Sequence, residues 1–347
     1  MARNSDIFSD RPFVICEIGV NHENDIDLAK KMIAEIAESG GDAAKFQTYK
    51  AGKLAIHDSP SYWDLESEPC RNQFELFSKF DHFEDSDYLE LSDFSKSVGV
   101  EFMSTCFDIE SLDFIDPLVR IHKIASADIT NIPLLRAVGS KEKPVCISTG
   151  ASTMQEIRRA VEELESSGSS KIALLHCVLN YPTSDENAQL GRIKDLSEEF
   201  PDYTIGYSDH TVPDSECLAC LSAFLMGAMV IEKHFTHDRT ISGNDHYHSM
   251  DKNTLRSLTS RLKQIESMSH YQGEENFLQS QQSAIINARR SIVTSRAVKA
   301  GEKLNSTNLT TKRPGNGLSA VNWDEVVGKI ALIDMESDFQ IKLEDFQ

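Results

Sequence analysis

Two histidines each close a short apolar run, His210 in Ile205-Gly206-Tyr207-Ser208-Asp209-His210 and His234 in Val230-Ile231-Glu232-Lys233-His234. Imidazoles delivered to one place by neighbouring segments make a divalent-metal site. With only oxygen groups to complete the sphere, octahedral Mn²⁺, Mg²⁺ or Co²⁺ fits better than tetrahedral Zn²⁺. The plainer alternative is a pair of hydrogen-bonded structural histidines. Lys45 and Lys123 also stand at the ends of apolar runs, where an ammonium is costly unless an anion meets it. Such a lysine grips phosphate or carboxylate as a point charge, forms a Schiff base when desolvated, or pairs with a carboxylate such as Glu17 or Asp128. Thr105, Ser126, Ser148 and Ser208 occupy similar positions and can donate hydrogen bonds to phosphate oxygens. Glu17, set among Lys45 and a metal, can orient or deprotonate water. Gln47, Tyr181 and Asp245 suit the hydroxyls of a sugar, although Asp245 lies in Gly243-Asn244-Asp245-His246, which equally reads as an ordinary turn. His22, His246 and His248 receive no role from this reading.

These groups share a pattern that predicts what positions them. Within roughly the first 250 residues, eight short apolar runs recur: Phe13 to Cys16, Ala43-Ala44, Val100 to Met103, Ile121 to Ile124, Val145 to Ile147, Ile172 to Leu175, Tyr203 to Ile205 and Val230-Ile231. Each fits a strand buried on both faces, and the spacers leave room for crossover helices. That rhythm predicts a (β/α)₈ TIM barrel, whose chemistry sits on the loops leaving the C-terminal strand ends. Periodicity predicts helices over Asp27–Ser39, Ile132–Gly139, Thr153–Ser166, capped by Ser152 or Thr153, and Asp251–Ser267. Residues 51–97 read as a long loop over the barrel mouth followed by helices near 71–79 and 85–97. The expected division is a barrel over 1–269, a polar linker over 270–287 and a small, mostly β module over 288–347.

The chain has 347 residues, 40% of them hydrophobic, enough for a sizeable core, and no apolar stretch approaches a membrane span. A formal charge of −20 disfavours nucleic-acid binding, so an anionic substrate must be drawn in by a local cluster of cations. Residues 1–10 lack the apolar core of a secretory leader, and seven cysteines without a disulfide framework agree with a cytosolic protein. Cys217 and Cys220 have C-x-x-C spacing inside an apolar helical stretch, which favours packing over metal or redox chemistry.

Taken together, Glu17-Ile18-Gly19-Val20-Asn21-His22, Lys45-Phe46-Gln47-Thr48, Ser104-Thr105-Cys106-Phe107, His122-Lys123-Ile124-Ala125-Ser126, Ser148-Thr149-Gly150, Leu174-Leu175-His176-Cys177, Tyr181-Pro182-Thr183, Gly206 to Thr211 and Glu232 to Thr236 resemble the N-acetylneuraminate (sialic acid) synthase family. Lys312-Arg313-Pro314-Gly315-Asn316-Gly317 and Val327-Gly328-Lys329 are similar to that family's antifreeze-like, or SAF, domain. The resemblance implies condensation of phosphoenolpyruvate with the open-chain aldehyde of an N-acylated hexose, N-acetylmannosamine, with release of phosphate by C–O cleavage. It implies that His210 and His234 hold the metal, most simply Mn²⁺. Lys45, Thr105, Lys123, Ser126, Ser148 and Ser208 would grip phosphoenolpyruvate, and Gln47, Asp128, Tyr181 and Asp245 would face the sugar. Glu17 would be the acid/base. It further implies a domain-swapped homodimer in which Arg313 reaches the N-acyl group of a partner's substrate. Asp128 stands where many relatives have glutamate, Leu179-Asn180 precede Tyr181 where many have asparagine two residues before it, and Asn244 replaces a common proline. These departures fall near the sugar and bear on its identity. Rival readings keep the reaction but take a diacetamido trideoxyhexose, giving legionaminic or pseudaminic acid, or a 6-phosphorylated hexose, for which no extra basic cluster is present. A barrel isomerase or hydrolase would leave both lysines without a task. A non-catalytic carbohydrate- or ice-binding protein would leave the titratable rim without one.

Overall fold

The computed structural model describes residues 8, 11–61, 63, 65, 68–243 and 245–347. Eight parallel strands close into a barrel: β1 (Phe13–Gly19), β2 (Ala43–Thr48), β3 (Glu101–Cys106), β4 (His122–Ile124), β5 (Val145–Ser148), β6 (Ile172–Cys177), β7 (Thr204–Asp209) and β8 (Val230–His234). β1 pairs with β2 on one side and β8 on the other, with Glu17 opposite Lys45 and also opposite His234.

Strand geometry sends alternate side chains to opposite faces. Inside the barrel, Ile15, Ala43, Met103, Ile121, Cys146, Leu175 and Val230 pack with Phe8 into a dry plug. Two residues further along the same strands the interior turns polar, at Glu17, Lys45, Thr105, Lys123, Ser148, Cys177 and Glu232. One more step along β2 and β8 gives Gln47 and His234. The opposite parity, including Val14, Ala44, Phe46, Phe102 and Leu174, packs outward against the helices. At Gly206 the interior is so crowded that a Cβ would lie 2.6 Å from the Val230 carbonyl, so glycine is required where β7 crosses β8.

The helices follow the sequence pattern with end shifts of a residue or two. The first spans Ile26–Ser39, starting one residue before the expected Asp27 because Asp25 Oδ1 accepts from the Asp27 and Leu28 amides at 2.9 and 3.1 Å. It ends at Gly40, φ 82°. Thr153 caps Met154–Ser167 in a capping box with Glu156, and Ile132–Gly139 forms as expected. Helix Lys252–Ser269 runs past the expected Ser267. The long insertion after β2 carries helices Ala51–Leu54, Gln73–Ser78 and Asp85–Val98. Among the described residues no helix is long and apolar enough to cross a membrane.

The chain divides into two compact units, Met1–Met268 and Ser269–Gln347. In the second, the stretch read as a polar linker carries two short helices, Glu274–Ser280 and Gln282–Ala288. Beyond them β9 (Ser291–Thr294) and β10 (Leu309–Lys312) pair antiparallel, and isolated bridges such as Val298 to Met335 and Lys303 to Ile330 complete a small β fold. Its own core contains Ile292, Val298, Leu304, Leu309, Val326 and Ile341. All seven cysteines are unpaired and buried.

Candidate active site

The polar layer above the plug is a closed network of four charges. Lys45 Nζ lies 2.6 Å from Glu17 Oε2, donates to Thr105 Oγ1 at 3.0 Å, and stands 3.8 Å from Glu232 Oε2. Lys123 Nζ donates to Ser148 Oγ at 2.9 Å and stands 3.5 Å from Glu232 Oε1. Ser208 Oγ donates to the same Glu232 oxygen at 2.9 Å, and Gln47 Nε2 donates to Glu17 Oε1 at 3.0 Å. Burial opposes charge at Glu17, Lys45 and Glu232. Burial prevails at Glu17, whose carboxyl is pushed up against the pull of Lys45. At Lys45 the desolvation is outweighed by Glu17 and Glu232, which hold the ammonium above its ordinary range. At Glu232 it is outweighed by Lys123 and Lys45, which hold the carboxyl below its ordinary range.

Above this floor lies a rim of imidazoles. His210, just past β7, donates from Nδ1 to the Val178 carbonyl at 2.7 Å, which fixes its tautomer and leaves Nε2 as the free nitrogen. The His210 and His234 ring centroids are 5.4 Å apart, and the Tyr181 ring lies tilted by 36° against His210 at 4.2 Å. A third imidazole, His248, comes within 4.9 Å of His234. One ligand atom each from His234, Asp245 and His248 lies within 4.8 Å of the others. Asp245 Oδ2 is 3.3 Å from His234 Nδ1 and Oδ1 is 3.7 Å from His248 Nε2. Neither contact has hydrogen-bond geometry: His234 Nδ1 and both nitrogens of His248 have no hydrogen-bond partner among the described residues. Burial, then the neighbouring imidazoles, push His234 far below the usual histidine range; burial and His210 do the same to His248. Burial lifts the Asp245 carboxyl to about 6. Buried neutral imidazole nitrogens facing a carboxylate are a donor set that fits a divalent cation.

Behind the rim a second ion pair joins the two strands that deliver it. Lys233 Nζ meets Asp209 Oδ2 at 2.6 Å and donates to the Thr211 carbonyl at 2.8 Å. Asp209 also accepts from Tyr207 Oη and the Thr211 amide, both at 2.9 Å, and from Cys220 Sγ at 3.4 Å. Cys220 therefore serves packing and hydrogen bonding on the outer face of the barrel.

The residues singled out in the sequence fall into three groups. Glu17, Lys45, Gln47, Thr105, Lys123, Ser148, Tyr181, Ser208, His210, His234 and Asp245 converge on the barrel mouth. Ser126 lies at its edge, its Oγ accepting from the Gly150 amide at 2.9 Å, and half-buried Asp128 accepts from Asn131 Nδ2 at 3.2 Å. The carboxylate partner of Lys123 is therefore Glu232 and not Asp128: Asp128 sits in the short helix Ser126–Asp128 past the strand, whereas Glu232 projects inward from β8. Arg313 belongs to the second unit. Asn244 lies outside the described residues. Sequence reasoning gave no role to Glu232, although its place two residues before His234 on a strand predicts the same interior face. It gave none to His248, whose loop position carries no periodic signal.

A closed parallel barrel with lysines and carboxylates at its floor and imidazoles at its rim is the architecture of a barrel enzyme. Residues 32–274 match the model of the NeuB family, and residues 289–347 match that of the SAF domain. The chain belongs to the NeuB family. It is 37% identical over 323 residues to the N,N'-diacetyllegionaminic acid synthase of Legionella pneumophila, covering 91% of this chain and 89% of that protein. With the N,N'-diacetyllegionaminic acid synthase of Campylobacter jejuni it shares 36% over 338 residues, covering 96% and 99%. Among solved structures it is similar to the N-acetylneuraminic acid (sialic acid) synthetase of Leptospira borgpetersenii in complex with citrate. That match has a TM-score of 0.70 and 31% identity, covering 82% of this chain and 96% of that one.

Proposed function

We propose that the barrel condenses phosphoenolpyruvate with the open-chain aldehyde of an N-acylated amino sugar, giving a nonulosonic acid and inorganic phosphate. The observation that carries this reading is the floor, where two buried lysines and the hydroxyls of Thr105, Ser148 and Ser208 lie in one layer beneath the imidazole rim. The floor's charges sum to zero, two ammonium groups against two carboxylates. A trianionic donor is therefore accommodated by drawing Lys45 away from Glu17. Lys45 and Lys123 then hold the donor's phosphate and carboxylate, with Ser126 at the edge. Glu17, released from Lys45 but still accepting from Gln47, orients and deprotonates the water that adds to the enol-ether carbon. The donor's methylene carbon bonds to the aldehyde carbon, water supplies the new oxygen, and the bond from carbon to the bridging oxygen breaks as phosphate leaves. His210 and His234 would hold a divalent ion, most simply Mn²⁺, with Mg²⁺ or Co²⁺ as alternatives, which would supply Lewis-acid polarisation of the aldehyde oxygen. Gln47, Asp128, Tyr181 and Asp245 are assigned to the sugar.

One acceptor reading is N-acetylmannosamine, supported by the name of the Leptospira relative. The names of the Legionella and Campylobacter relatives support a second reading, a diacetamido trideoxyhexose in the same reaction. Incubating the protein with phosphoenolpyruvate and Mn²⁺ against N-acetylmannosamine, its 6-phosphate and diacetamido hexoses separates the two. Phosphate release should require donor, metal and one acceptor together. Bridging-oxygen label should leave with phosphate, and its retention in the sugar acid would reject C–O cleavage. The proposal includes a homodimer in which a partner chain supplies Arg313 to the N-acyl group.

A further inference from the structure

We propose that His248 is a third imidazole ligand of the divalent ion, alongside His210 and His234. This rests on the reading that the barrel mouth binds such an ion, and it changes what that ion offers to substrate.

His248 is fully buried, and neither ring nitrogen has a hydrogen-bond partner among the described residues. A histidine kept only for packing, here against Tyr247 at 4.8 Å, would leave two buried polar nitrogens unsatisfied. A nitrogen of His248 instead lies within 4.8 Å of a nitrogen of His234 and a carboxylate oxygen of Asp245, and the spacing of the three rings leaves room for one ion among them. An ion about 2.1 Å from a ring nitrogen lies roughly 3.2 Å from that ring's centroid, so imidazoles at right angles bring centroids to about 4.6 Å and opposed ones to about 6.5 Å. The observed separations are 4.9 Å for His234 and His248, 5.4 Å for His210 and His234, and 6.3 Å for His210 and His248. All three fall between those limits.

The segment bearing His248 is also held firmly. His246 is gripped on both nitrogens, Nδ1 by Thr236 Oγ1 at 2.7 Å and Nε2 by Glu23 Oε1 at 2.8 Å. Ser249 Oγ donates to the Asp245 carbonyl at 2.5 Å and accepts from Asn21 Nδ2 at 3.1 Å. Met250 N donates to the His234 carbonyl at 2.8 Å, so the loop is pinned to the end of β8 beside the ligand it must join. A third nitrogen donor would leave fewer positions for water and acceptor oxygens and would move preference toward Co²⁺ relative to a site with two.

The test is Mn²⁺ binding to the metal-free full-length protein, read by pulsed electron paramagnetic resonance with ordinary and ¹⁵N-histidine-labelled protein. Three coupled imidazole nitrogens are expected in the unaltered chain, which needs no variant. In His248→Phe and His248→Ala, each checked for folding by circular dichroism, two nitrogens should remain and Mn²⁺ affinity should fall about tenfold or more. Mn²⁺ bound through two nitrogens in the unaltered protein, or with unchanged affinity in a folded variant, overturns this inference alone. No Mn²⁺ binding by the unaltered protein overturns the metal-dependent function and this inference with it.

Discussion

Asp209 and Lys233 are register partners on β7 and β8, and their ion pair of 2.6 Å is sealed from water with neither side chain more than 1% exposed. Each immediately precedes a rim histidine, so the pair sets the spacing between His210 and His234 from behind. Removing one partner of such a pair leaves the other buried and uncompensated. Asp209→Asn should lower the free energy of unfolding by about 3–5 kcal/mol, measured by urea titration. The folded fraction should also bind Mn²⁺ more weakly, a change that uncoupled strands would not show.

Glu232 lies within ion-pair distance of both Lys45 and Lys123. In Glu232→Gln the hydrogen bond from Ser208 can persist while one negative charge disappears. Phosphoenolpyruvate should bind about tenfold more tightly, a change of about 1.4 kcal/mol measurable by calorimetry, even as stability falls. Weaker donor binding in this variant would contradict the placement of the donor between Lys45 and Lys123.

His22 lies outside the site chemistry and supplies a pH dependence of its own. Burial against Phe83, with the rings stacked at 4.2 Å, brings its imidazole down to about 4. The unfolded chain therefore takes up a proton near the ordinary value of 6.5 that the folded chain refuses until about 4. Stability from this residue is complete above about pH 6.5 and is lost as pH falls toward 4, in total about 3 kcal/mol. His22→Gln should flatten that part of the curve of unfolding free energy against pH relative to the unaltered protein; identical slopes would count against it.

Arg313 offers a prediction that separates acceptor from donor. If a partner chain presents it to the N-acyl group, Arg313→Ala should raise the acceptor KM by about tenfold or more while phosphoenolpyruvate binding persists. Equal loss for both substrates would argue for a structural role, and sedimentation of the unaltered protein as a monomer would remove the partner.

Much of the barrel was legible because each strand is a short apolar run ending in a chemically active residue, as at Val145-Cys146-Ile147 before Ser148 and Ile121 before Lys123. Those runs report burial on two faces, which is a local property. Glu232 was less legible because its importance arises only when closure sets β8 across from β4. His248 was illegible for a related reason: it stands in an irregular loop, and its nearness to His234 depends on the bridge between Phe235 and Met250. The helices within 270–287 escaped notice because a polar sequence without an apolar stripe gives little helical signal.

Glu17 and Lys45 are supplied early in the chain, whereas Glu232 and His234 come only with the last strand, which seals the cylinder against the first. During synthesis, a nascent chain cut off before residue 230 would hold two ammonium groups without their shared counter-ion and an open seam beside β1. Partial products of translation are thus denied a stable, half-built catalyst. The charged floor is completed in one step, when the final strand locks into place.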